Sequence, residues 1–313
     1  MEEQFDYLKE YCDSEKTKSI NAKLLAMYKK WYESWYKGNE SRYASFSTSC
    51  KGHPDKMVYL NKPLLLTCTD AYLGNRVILF GKEAHDTDSS LSCFRCELDR
   101  YFDSSTYKYD TAIRFDEREN GKKKARNTEF LKARKICAEL ESNVFFSEDS
   151  DSFKKFSGVL VNNLNKVSYS GKMTGAEKRL EEIYAPFEFD EKTGNVFYHE
   201  FRILQPRKVL FLCGRGYTKH LIRDFGPSFS EELISGKLIS SKDTLALRED
   251  ETSILVSVPK TLVSENECNL ENEHSIEYIY GYHPSFLQYN GKKRNQYYKS
   301  ITAFVKSNIG QTK

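Results

Sequence analysis

The chain has 313 residues, a net charge of +3, 39% hydrophobic and 30% charged residues. That length buries a sizeable core, as one large domain or two small ones. So small a charge excludes a polycation that grips nucleic acid over its whole surface, leaving only local clusters of basic residues for that task. No apolar run approaches the ~20 residues of a membrane-spanning helix, so no membrane partner is expected.

The acidic opening Met1-Glu2-Glu3-Gln4-Phe5-Asp6 lacks the basic and apolar regions of a signal peptide, and a cytoplasmic location is expected. Ile20, Leu24, Met27, Trp31 and Trp35 then fall on one helical stripe, which Gly38-Asn39 is suited to stop. Residues 40–56 are polar and irregular. Four short apolar runs follow at 77–80, 158–161, 209–212 and 276–280, and each reads as an interior strand. Helical stripes lie between and after them. Phe130, Ala133, Cys137 and Leu140 make one, with Asn127 or Thr128 as its cap. Phe197, Phe201 and Leu204 make another, ended by Pro206, and Tyr297, Ile301, Phe304 and Val305 make the last.

Strands alternating with helices predict a mostly parallel sheet covered on both faces. Residues 236–275 break the alternation, with extended pieces at 245–247 and 254–258 and an acidic loop at 265–273. The charged stretch 115–126 reads as exposed. Without internal repeats or a low-complexity linker, the expected organisation is an N-terminal helical extension, 1–56, packed on a single domain, 57–313.

Eight cysteines are too few and too scattered for a disulfide framework. Cys93 and Cys96 form the one C-x-x-C, and no second ligand pair completes a zinc or iron–sulfur site. Reduced, partly buried thiols and no metal are expected.

In open α/β sheets, ligands bind outside the carboxyl ends of the strands. Each predicted strand leads into a distinctive loop: 81–86 after the first, 162–165 after the second, 214–217 after the third and 283–285 after the fourth. Parallel strands would gather these loops on one rim, bringing together a carboxylate, an amide, a glycine turn and an imidazole.

These residues resemble the motifs of the uracil-DNA glycosylase superfamily. Gly81-Lys82-Glu83-Ala84-His85-Asp86 is similar to the family's first motif, Val159-Leu160-Val161-Asn162 to the strand ending in its base-reading asparagine, and His283-Pro284-Ser285-Phe286-Leu287 to its histidine-proline-serine motif. The likeness spans about residues 60–308. It implies a three-layer α/β/α fold around a central, mostly parallel four-stranded sheet, and a monomeric, cofactor-free DNA glycosylase. Such an enzyme flips a pyrimidine out of DNA and hydrolyses its N-glycosidic bond. Three departures stand in the first motif. Ala84 replaces a proline, Glu83 stands where the classical enzymes have aspartate, and His85 stands where they have the tyrosine that excludes thymine. A larger 5-substituent on the base is therefore within reach, and the biological setting is either repair or defence against modified foreign DNA.

The resemblance implies a role for each residue, beside which a plainer one stands. Glu83 is the carboxylate that would support positive charge on the sugar and orient water, or else a helix-capping surface residue. Asp86 and Asp88 are its alternatives. His283 would donate to the departing base as that base becomes anionic, or else hold a strand end. Asn162 presents the donor and acceptor that a pyrimidine edge requires, and Asn163 and Asn165 compete for the role because alternation along an extended segment decides which points inward. Phe94 would stack on the base, beside His85, or else fill core. Ser285, Lys292, Lys293 and Arg294 would meet phosphates, and Leu287 would be the wedge that fills the space of the flipped nucleotide, or else an ordinary buried leucine.

Overall fold

The computed structural model describes residues 12–35, 65–83, 128–140, 150–165, 196–213, 245–249, 252–256, 260–261, 277–284, 287 and 294–306. The stretches 115–126, 214–217 and 265–273, and the Cys93/Cys96 pair, lie outside them. The helices are α1 (Glu15–Trp35), α2 (Asp70–Asn75), α3 (Thr128–Cys137), α4 (Ser150–Ser157), α5 (Val196–Leu204) and α6 (Arg294–Lys306). The strands are β1 (Val77–Glu83), β2 (Val159–Asn165), β3 (Lys208–Leu212), β4 (Leu245–Glu249), β5 (Thr252–Val256), β6 (Lys260–Thr261) and β7 (Glu277–Gly281).

The fold is mixed α/β. The sheet runs in the order β2-β1-β3-β7-β6, with the first four strands mutually parallel and the two-residue β6 antiparallel to β7. β4 and β5 form a separate antiparallel pair, the extended pieces expected between 236 and 275. The four apolar runs became the four parallel strands; β1, β2 and β3 are buried at successive positions and so on both faces, as parallel sheets require, and Ile279 of β7 is buried beside them. Two boundaries differ. Residues 81–83, expected as the start of a loop, continue β1. Residues 162–165, expected as a loop, continue β2 and pair with β1 through Asn162, Asn163 and Asn165. Backbone pairing to a central strand outweighs the turn-forming tendency of asparagine there.

Strand alternation divides the sheet side chains between two sets of helices. Val77, Leu79, Val159, Val161, Leu210, Leu212 and Ile279 pack with Phe130, Ala133 and Cys137 of α3 and Tyr297, Ile301 and Phe304 of α6. On the other face, Phe80 meets Phe197 and Phe201 of α5 edge-on, at ring separations of 5.6 and 6.0 Å. α1 packs over α5 through the buried Leu24, Tyr28 and Trp31. Burying each such large side chain contributes about 1.5–3 kcal/mol.

Polar side chains fix the edges of this packing. Asn21 of α1 clamps residue 68, accepting from its N–H at 2.7 Å and donating to its carbonyl at 2.9 Å. Thr69 caps α2 by accepting from Tyr72 N–H and ties it to α4 by donating to the Ser157 carbonyl. Buried Arg134 of α3 donates to the Val159 carbonyl at 3.0 and 3.2 Å while its guanidinium lies 3.8 Å from the centre of the Phe156 ring. Lys208, at the start of β3, donates to the Phe304 and Val305 carbonyls at the end of α6. A cation there satisfies acceptors that the helix leaves open and opposes its negative dipole end.

Among the described residues no helix is long and apolar enough to cross a membrane. Cys12, Cys68, Cys137 and Cys213 are in no disulfide, and burial pushes the Cys137 thiol up to about 12.

Candidate functional site

The carboxyl ends of the parallel strands lie along one edge. Across it, Phe80 of β1 is in register with Asn162 and Phe211, and Gly81 with Asn163. Side chains of neighbouring parallel residues share a face, so consecutive asparagines of β2 go opposite ways.

On the α3/α6 face, two side chains converge around Gly81, and a third stacks on one of them. A Cβ at this position would lie 3.0 Å from Asn163 Oδ1 and 3.4 Å from the Phe130 ring. Any residue larger than glycine would push one of them aside, so the bare backbone is what lets amide and ring approach. His283, two residues beyond β7, stacks on the same Phe130 ring, with centroids 5.4 Å apart and planes 15° from parallel. The backbone leading to it is pinned, since Tyr297 Oη donates to the Tyr282 carbonyl at 2.7 Å. Burial, with nearby Cys137, Cys213 and Glu129, holds the Tyr297 hydroxyl well above its ordinary range, so it remains a donor. Asn163 and His283 are half-buried, and Phe130 is buried.

Asn162 occupies the α1/α5 face and is fully buried. Its Nδ2 donates to Glu200 Oε2 at 2.8 Å, and its Oδ1 accepts from Asn163 N–H at 2.9 Å. The other Glu200 oxygen accepts from Tyr28 Oη, which in turn accepts from Leu66 N–H at 2.8 Å. A buried carboxylate is tolerable only when hydrogen-bonded in this way. The network joins α1, α5, β2 and the segment before α2.

Other expected residues have their own surroundings. Glu83 is the last residue of β1, two positions beyond Gly81 and in register with Asn165. Arg294, the first residue of α6, forms an ion pair with Glu129 at 2.6 Å, and Tyr298 Oη donates to the same carboxylate. Its charge is therefore directed into the α3–α6 junction. Leu287 is fully buried in the core cluster. A wedge must be displayed to a duplex, and this side chain fills core space instead. His85, Phe94, Ser285, Lys292 and Lys293 lie outside the described residues.

Chemically, the rim offers a flat aromatic wall, an amide with both donor and acceptor, and an imidazole near the carboxyl ends of the strands. A planar heterocycle with a hydrogen-bonding edge suits that set. Among the described residues no group of three or more His, Cys, Asp or Glu is arranged to hold a metal ion. Phe130 and Asn163 are the residues that sequence reasoning underweighted. Phe130 reads as one more member of a helical stripe. Asn163 differs from Asn162 only in strand parity, which counting alternate positions from Leu79 and Val161 would have assigned.

No family model matches the chain, and no curated protein or solved structure matches it either.

Proposed function

We propose that this chain is a monofunctional DNA glycosylase of the uracil-DNA glycosylase type. It would carry a three-layer α/β/α catalytic domain over residues 57–313 with the N-terminal helix packed on it. The observation that carries the reading is the Phe130–His283 stack beside Asn163 over Gly81, at the carboxyl edge of parallel strands. The flipped pyrimidine sits against this wall. His283 donates to the base carbonyl as charge develops on it, and Glu83 supports the sugar cation and the attacking water. We assign the reading of the base edge to Asn163 rather than Asn162, because Asn162 is fully buried and its amide is bound to Glu200 on the far face. The substrate is uracil or a pyrimidine with a larger 5-substituent, and the products are a free base and an abasic site.

Duplexes that each carry one uracil or one 5-substituted pyrimidine, followed by alkaline cleavage, test this. Wild type should release at least one of these bases. His283→Ala should slow release about 10²- to 10³-fold, the effect of losing one preorganised donor to developing charge. Glu83→Gln should lose turnover while keeping DNA affinity. If wild type releases no base from any duplex yet binds DNA with a steep salt dependence, the chain is a nucleic-acid-binding module on this fold.

A further inference from the structure

The outer side of the α3–α6 layer carries a second feature that the rim chemistry does not use. Lys132 of α3 and Asn295, Tyr298, Lys299, Thr302 and Lys306 of α6 line a shallow notch of about 420 Å³. Asn295, Lys299, Thr302 and Lys306 recur at intervals of four, three and four, so they form one stripe along the helix. At 1.5 Å per residue the stripe is about 16 Å long, the span of some four to five phosphates along a nucleic-acid strand. We infer that this notch docks the phosphodiester backbone of nucleic acid.

Four observations support that occupant. First, the notch has three lysines and no carboxylate in its lining, and α6 has no acidic residue along its length. Second, the carboxylate of Glu129, which reaches Tyr298 of the notch, is already committed to Arg294 and Tyr298. Third, the end of a helix is normally negative and would repel phosphates beside Lys306. Here Lys208 donates to the Phe304 and Val305 carbonyls at 2.6 and 2.7 Å and opposes that potential. Fourth, Lys132 is held against the wall, its ammonium 4.4 Å from the centre of the Tyr298 ring, while Lys299 and Lys306 are exposed. Lysines with neutral Asn and Thr donors are the side chains that contact phosphates without reading sequence.

An anionic membrane is the competing occupant. A membrane-surface helix needs large apolar side chains beside its lysines. The exposed positions of α6 are Asn295, Gln296, Lys299, Ala303 and Lys306, which offer none. The amino end of α6 meets α3 at Glu129, next to the Phe130 that carries His283. A strand lying in the notch therefore continues from the rim. The inference extends the nucleic-acid reading of the rim to a second surface and rests on it.

The test is fluorescence anisotropy of an unmodified 20-base-pair duplex with the full chain, repeated across a salt series. The K132Q/K299Q/K306Q variant should bind about tenfold or more weakly at low salt. The slope of log affinity against log salt should shrink by about 2 to 3, near one per lost phosphate contact. Exposed Lys299→Glu alone should act in the same direction, which keeps the test valid if the triple variant folds poorly. Unchanged affinity and slope overturn the inference. So does a triple variant that loses binding to phosphatidylserine vesicles while holding the duplex as wild type does. Base release at saturating substrate is a separate reading. Its absence in wild type would remove the glycosylase proposal while leaving lysine-dependent duplex binding intact.

Discussion

The two faces of the sheet use their polar residues in opposite ways. On the α1/α5 face, Tyr28, Glu200 and Asn162 bond to one another and to backbone, inside a layer of phenylalanines. On the α3/α6 face, Phe130, Asn163 and His283 meet at the strand ends, and cations line the helix beyond. Strand β2 serves both, sending Asn162 one way and Asn163 the other. The lesson is that adjacent residues of one type can have unrelated duties when a strand is buried on both sides. A fully buried network specifies how layers fit, whereas a half-buried cluster at the strand ends is where we propose that a ligand binds.

The sharpest way to break this contrast is Glu200→Ala. It strands the Tyr28 hydroxyl and the Asn162 amide in a buried layer, and each unsatisfied group costs about 1–3 kcal/mol. With the lost packing, a total near 3–4 kcal/mol is expected, read as a fall in the urea midpoint at unchanged slope. A loss below about 1 kcal/mol would mean that the network is not the fastening of that face.

The asparagine pair comes next. Asn162→Ala should cost about 2 kcal/mol of stability, because it deprives Glu200 of a donor and Asn163 N–H of its acceptor. Asn163→Ala should leave stability within about 0.5 kcal/mol and act on base release instead. The reverse pattern, a stable Asn162→Ala that has lost turnover, would return base reading to Asn162 and undo the division between the faces.

The sequence carried the strand cores well, since a four-residue apolar run needs burial on both sides and has few other fates. It carried the polar end of β2 poorly, because three asparagines in four residues have the composition of a turn and only the β1 ladder makes them strand. α2 and α4, of 6 and 8 residues, are too short for a helical period to stand out. For the site, His283 was legible from its place after a strand. The partners of Arg294 and the burial of Leu287 were not, because a charge run and a lone leucine look alike on a surface or in a core. Only the docking of α3 on α6 gave Arg294 its Glu129.

A smaller effect concerns how the closed face is held at its end. Asp70 of α2 accepts from the Asp13 and Ser14 N–H groups and the Ser14 and Thr17 hydroxyls at the start of α1. Partial burial alone would raise its carboxyl, but these hydrogen bonds outweigh it and hold the group below its ordinary 3.8. A depressed carboxyl stabilises the fold fully above its unfolded value and ceases to do so as pH falls through the folded one. Asp70→Asn should therefore cost roughly 1 kcal/mol at neutral pH, the scale of a helix cap. That difference should shrink steadily below about pH 4 and vanish in stronger acid. A gap between the two proteins that stays constant down to pH 2 would remove the charge from the explanation.

The smallest effect tests whether the faces differ in backbone as well as in side chains. α3 and α5 lie on opposite faces, yet near their carboxyl ends each has a non-glycine residue in the left-handed region, Glu139 at φ 58 and Gln205 at φ 47. Each closes the last turn with its own N–H, to the Ile136 and Phe201 carbonyls respectively. A side chain there costs about 1–2 kcal/mol, against which glycine's added freedom in the unfolded chain costs roughly 0.5–1. Glu139→Gly and Gln205→Gly should each raise stability by about 0.5 kcal/mol, seen as a small upward shift in the urea midpoint. Equal gains would mean that both faces end their helices by the same device. The contrast between a closed layer and an open rim would then lie in side-chain parity alone. A gain at Glu139 without one at Gln205 would mean that the half-buried Gln205 side chain makes a contact on the closed face worth as much as the strain it bears.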